Sequence, residues 1–284
     1  MIAALALYCF HLLQEPEKAP PKKPVSREKV KTPKAKKDIP LTLGKIERPQ
    51  KREPVIPEIK TRFKVAILID DIGQDMDVVD DLLAIDAPLS FAVLPHLPHS
   101  KQAAEKVHKR GREILLHLPM EPKSFPETNP GPGALFAEMT DEEIRALFRR
   151  NLEAVPHVQG VNNHMGSRFT EEGEKLAVVL QEIKNRGFYF VDSRTSANSK
   201  GRDVAKKIGV RFRERNIFID NEQDYEASLQ NIMRILRDPG VTKDNTVLLI
   251  GHPYPSTVLA IREAIALLRD RGVEFVPVSS IVSP

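Results

Sequence analysis

The chain has 284 residues, 41% hydrophobic and 29% charged, with one Cys, no Trp and 23 Pro. A lone Cys excludes an internal disulfide scaffold, 14 Gly are too few for a collagen repeat, and the absence of any run of about 18 apolar residues excludes a multi-pass membrane protein. The net charge of +4 is uneven: residues 14–60 carry 14 Lys or Arg against 7 Asp or Glu, and 9 of the 23 Pro, so the remainder is slightly acidic and shows no electrostatic footprint for nucleic acid.

In chain order, residues 1–13 (MIAALALYCFHLL) are apolar but for His11. They are too short to span a bilayer and lack a basic leader, and are expected to be the remnant of an export signal or membrane anchor that starts further upstream. Tyr8 before Cys9 argues against lipidation. Residues 14–60 bury too little apolar surface to order themselves and are expected to be a disordered Pro/Lys-rich linker. The domain is therefore expected over 61–284, outside the cytoplasm, and either tethered through the N-terminal segment or secreted.

From Arg62 onward, apolar runs of strand length alternate with helical patterns. Strands are predicted at Lys64–Ile69, Leu89–Leu94, Glu113–Leu116, Gly160–Val161, Phe188–Val191, Val210–Phe212 with Ile217–Ile219, Thr246–Ile250 and Glu274–Pro277. Helices are predicted at Met76–Ile85, Lys101–Lys109, Asp141–Ala154, Glu171–Asn185, Asp224–Arg237 and Thr257–Asp270. Thr140 with Glu143 forms a capping box, Thr170 a weaker start, and Gly111, Gly187 and Gly272 stand where left-handed residues end helices. Seven or eight β-α units predict an α/β fold with a mostly parallel sheet, closed into a barrel or open.

Parallel barrels place their chemistry at the C-terminal strand ends. Reading on from each apolar run gives Asp70-Asp71, Pro95-His96, His117 to Glu121, Asn162 to Ser167, Asp192 to Ser196, and Gly251-His252. Four of the seven His after the N-terminal segment (His96, His117, His164, His252) fall there. Adjacent carboxylates repel unless a cation or shared proton relieves them. Together with several imidazoles, the pair points to a divalent metal, zinc or similar, that activates water. The only Cys lies outside the domain, no serine has a G-x-S-x-G context, and DDIGQDMD is too acidic to cradle phosphate.

This series of motifs resembles the divergent polysaccharide deacetylase family, within the polysaccharide deacetylase superfamily, over about residues 62–282. The resemblance implies a distorted (β/α)7 barrel that removes acetyl groups from N-acetylated sugars by metal-activated water. ILIDDIG resembles the family's T-F-D-D-G motif, implying Asp70 as general base and Asp71 as metal ligand. GREILLHLPME implies His117 as a second ligand, with Glu121 where the family has another His: Glu121 either ligates through a carboxylate oxygen or leaves the site one ligand short, and is expected near the substrate. NNHMGSRFT implies His164 as the replaced third ligand, with Asn163, Ser167 and Arg168 near the substrate. LLIGHPYP resembles the family's L-x-H motif and implies His252 as general acid. VDSRTS brings Asp192 and Arg194 towards the substrate, although Asp192 could equally hold Arg194 or cap a turn. The expected ion is Zn2+ and the expected partner a glycan. The alternative is a catalytically degenerate barrel that binds glycan or a cell-wall enzyme. A phosphoesterase is disfavoured by the few cations near these residues.

Overall fold

The computed structural model describes residues 63–238 and 245–283, to which every structural statement here refers. The segments 1–13 and 14–60 lie outside the described residues. Nine strands run β1 (Lys64–Ile72), β2 (Ser90–Val93), β3 (Glu113–Met120), β4 (Gly160–Met165), β5 (Tyr189–Asp192), β6 (Phe212–Glu214), β7 (Ile217–Phe218), β8 (Thr246–Gly251) and β9 (Glu274–Phe275). Seven helices alternate with them: α1 (Asp77–Leu83), α2 (Ser100–Lys109), α3 (Asp141–Ala154), α4 (Gly173–Asn185), α5 (Gly201–Ile208), α6 (Tyr225–Met233) and α7 (Pro255–Arg269).

Every strand ladder is parallel, in the order β6-β5-β4-β3-β2-β1-β8-β7, with β9 paired to the start of β1. The two edges belong to one stretch of chain. Only Arg215 and Asn216 separate β6 from β7; the Arg215 N–H donates to Asp192 O on β5 (3.0 Å), and the Asn216 N–H donates to Leu248 O on β8 (2.9 Å). A single segment thus leaves one edge of the sheet and joins the other, closing it. Counted around the ring, β1 to β5, the β6–β7 segment and β8 make seven positions, backed by seven helices: a distorted (β/α)7 barrel.

Two apolar clusters follow from strand alternation. Ile67, Ile69, Phe91, Ile114 and Leu116 face outward against Leu82, Val107, Phe148, Leu180 and Ile261 of the helices. Ala66, Leu68, Leu115, Val191, Leu248 and Ile250 fill the barrel. The C-terminal residues Val278 and Ile281 join that inner cluster, and Ser279 N–H reaches buried Glu113 at the start of β3. The N-terminal end of the barrel is thus plugged, and function is left to the other end.

Most predicted elements are present, within a few residues. Helix α3 has the expected bounds and a complete capping box from Thr140 and Glu143. Gly111, Gly187 and Gly272 have φ of 65°, 70° and 80°. Thr170 does not cap α4: its hydroxyl donates to Gly166 O, a 3-10 turn occupies Phe169–Glu171, and Glu172 stands at the cap. Strands β1, β3 and β4 run longer than their apolar cores, because ladder bonds continue through the polar residues beyond them. Helix α5 is absent from the sequence reading; its eight residues, GRDVAKKI, offer only three apolar positions.

Candidate metal centre

Continuing the inner alternation by two residues carries it from apolar to polar. Leu68 leads to Asp70, Leu115 to His117, and Ile250 to His252. On β4, Asn162 stands in register with His117, and His164, two residues on, shares its face. Asp71 should then point outward. It does not, because the β1–β2 register shifts between Ile69 and Ile72, and Asp71 adopts φ of 57°. The bulge turns two consecutive carboxylates into one site, at a backbone cost that non-Gly residues bear chiefly where something else demands it.

Three donor atoms converge there. Asp71 Oδ1 lies 3.0 Å from His117 Nε2 and 2.9 Å from His164 Nδ1, and the two nitrogens are 3.1 Å apart. Tetrahedral ligands about 2.0–2.1 Å from an ion stand about 3.3 Å apart, so shifts of a few tenths of an ångström admit zinc. Despite its neighbours, buried Asp71 Oδ1 accepts no hydrogen bond of acceptable geometry, as expected of an oxygen whose partner is a cation. One carboxylate and two imidazoles suit zinc or a similar divalent ion. These three residues therefore could hold a metal.

The surroundings are charged and coupled. Burial alone would raise the Asp71 carboxyl, but the imidazoles of His117 and His164 close against it outweigh burial and hold Asp71 far below the usual carboxylate range. For Asp70 burial wins, opposed by His117, His252 and Asn162, and its carboxyl is raised. Burial disfavours charge on His117, yet Asp70 and Asp71 raise it. Asp70 Oδ2 is 3.7 Å from His117 Nε2, while Oδ1 accepts from Asn162 Nδ2 at 2.8 Å.

His252 closes the other side, with Nε2 3.9 Å from Asp71 Oδ2. Its Nδ1 meets Asp220 Oδ1 at 2.9 Å, and its backbone N–H donates to Asp220 Oδ2 at 2.6 Å. Burial lowers the His252 pKa, but Asp220, Asp70 and Asp71 bring it up to about 9. Its ring lies between Phe218 and Tyr254, with centroids 5.9 and 5.7 Å away. The Arg215 guanidinium lies over the Phe218 ring, 3.7 Å from its centroid.

The structure thus brings Asp70, Asp71, His117, His164 and His252 together, and gives the expected substrate contacts other partners. Glu121 is buried, with Oε1 on Arg168 (2.8 Å) and Oε2 accepting the Ala137 N–H (2.8 Å), so both oxygens are occupied away from the metal cluster. Arg168 also bridges to Glu138. Asn163 spends both ends of its amide, on Met165 O and the Ser193 N–H. Ser167 accepts the Lys123 N–H. Asp192 accepts the Arg194 N–H and the Ser199 hydroxyl, capping its turn, and Arg194 reaches Glu214. These residues brace the loops around the centre. Asp220 and Asn162, bonded to the cluster, and Arg215, over Phe218, are given no role in the sequence reading, yet Asp220 comes directly after the Ile217–Ile219 run, where strand-end reading could have found it.

A parallel seven-position barrel with a His/carboxylate centre at its C-terminal mouth defines the class, and likeness to known proteins places the chain within it. The family described as divergent polysaccharide deacetylase matches residues 67–282, and the chain belongs to that family. Uncharacterized protein YibQ of Escherichia coli is 35% identical over 205 residues, 71% of this chain and 62% of that protein. An uncharacterized protein of Haemophilus influenzae is 27% identical over 207 residues, 73% of this chain and 72% of its own length. The crystal structure of uncharacterized protein ATU2773 from Agrobacterium tumefaciens superposes with a TM-score of 0.72 at 25% identity, covering 80% of this chain and 92% of that one.

Proposed function

We propose that the protein is a metal-dependent hydrolase, most suited to Zn2+, that removes acetyl groups from an N-acetylated polysaccharide of the cell envelope. The observation that carries this reading is the convergence of Asp71, His117 and His164 within 3.1 Å of one another, with Asp70 and His252 on either side. Held by those three donors, a divalent ion supplies Lewis acidity at an amide carbonyl and acidifies water. Asp70, through the oxygen not bonded to Asn162, accepts the proton of the attacking water; its raised carboxyl makes it the better base. His252, its charged form favoured by Asp220 on Nδ1, gives its Nε2 proton to the departing amine as the carbon–nitrogen bond breaks. Acetate and a free amino sugar result.

The apolar residues 1–13 and the adjoining Pro/Lys-rich 14–60 support placing the domain outside the cytoplasm, tethered or released. Among the described residues no helix is long and apolar enough to cross a membrane. The test is acetate release from N-acetylated glycan by the Zn2+-loaded full chain. Release is expected in the wild type and at least about 100-fold less in Asp70→Asn and His252→Ala. Glycan binding without acetate release, equal in His252→Ala, would contradict it and indicate a glycan-binding barrel.

A further inference from the structure

Asn162 is fully buried in the barrel mouth and stands beside His117 in the β3–β4 ladder. Its amide touches two of the groups assigned roles above. Oδ1 lies 2.9 Å from His117 Nδ1, and Nδ2 donates to Asp70 Oδ1 at 2.8 Å and to Ser193 Oγ at 3.3 Å.

The orientation of that amide is dictated by chemistry. Asp70 Oδ1 is an acceptor, and it remains one even when a proton sits on Oδ2, so it takes the NH2 end of Asn162. Turned round, the amide would set its carbonyl against that oxygen and leave both unsatisfied in a buried site, which costs about 1–3 kcal/mol for each group. The carbonyl end therefore faces His117, and a carbonyl accepts only. His117 Nδ1 then carries a proton, and Nε2 is the nitrogen turned towards Asp71 Oδ1 and His164 Nδ1.

We propose that Asn162 is a positioning residue: by donating to Asp70 and accepting from His117 it keeps the proton on His117 Nδ1, so that Nε2 is the nitrogen that gives up its proton to receive a cation. The inference rests on the metal-centre reading, and it adds a coupling. One side chain holds the ligand ring and the proposed base together, so a change at Asn162 disturbs both.

The test uses the metal-free full chain with 15N-labelled histidine. The His117 ring is followed by long-range 1H–15N correlation as pH is raised until the ring is neutral. Neutral wild-type His117 is expected to carry its proton on Nδ1. Asn162→Ala is expected to lose that preference and to bind Zn2+ about 10- to 100-fold more weakly. Asn162→Asp keeps an acceptor towards His117 and is expected to retain the Nδ1–H tautomer. A wild-type proton on Nε2, or Asn162→Ala binding Zn2+ as tightly as wild type, would overturn the assignment. Should Asn162→Ala not fold, the wild-type and Asn162→Asp spectra decide. An Nδ1–H wild type that takes up no Zn2+ supports the role of Asn162 towards His117 while contradicting the metal reading alone.

Discussion

At the scale of single residues, the centre is a balance of charges that depends on who holds which proton. His252 is the clearest case, because Asp220 grips it twice, through the ring and through the backbone. Its folded pKa, about 9, exceeds its ordinary 6.5, so the charged form is favoured by folding. The stability this contributes is fully present below about pH 6.5 and is lost as pH rises towards 9. Asp220→Asn removes the largest raising contribution. Denaturant unfolding of the metal-free chain from pH 6 to 10 should show the wild type losing stability across that window and the variant a flatter profile. Equal slopes would contradict the assignment. Thr257 reinforces the arrangement, its hydroxyl donating to Asp220 Oδ2 at 2.7 Å.

At the scale of elements, site geometry comes from departures from regularity. The bulge at Asp71 gathers both carboxylates, and the change of ladder partners between β6 and β7 closes the ring while setting Phe218, with Arg215 over its ring, beside His252. Strand β4 must also approach β5 closely. A Cβ added to Gly160 would stand 2.4 Å from the Tyr189 ring, which is itself buried in the inner cluster. Gly160→Ala should therefore cost about 1–3 kcal/mol, read as a lowered denaturant midpoint. An unchanged midpoint would show that the ring can yield.

At the scale of the whole molecule, the alternation of apolar runs and helical patterns is enough to read an α/β fold with a mostly parallel sheet, because buried parallel strands appear as continuous Val, Ile and Leu runs such as KVAILI and TVLLI, whereas closure into a barrel is implied only by the family resemblance. The residues just past those runs are equally legible, and Asp70, Asp71, His117, His164 and His252 do meet. The effects of backbone irregularity are not legible. Nothing in DDIG announces a left-handed Asp71, and nothing in RERNIF shows that the chain changes partners. Glu121, Arg168, Asp192 and Arg194 are expected near the substrate from their place by the strand ends, and there they form the ion pairs and turn caps of the surrounding loops, partners that the sequence does not announce.

The proposed function stands on a metal centre formed by Asp71, His117 and His164. Its most direct test is elemental analysis of the purified full chain after Zn2+ loading, beside Asp71→Ala and His164→Ala. About one zinc per chain, lost in both variants while their folds persist by circular dichroism, is the predicted result. No stoichiometric metal in the wild type, or full occupancy in either variant, would contradict the account.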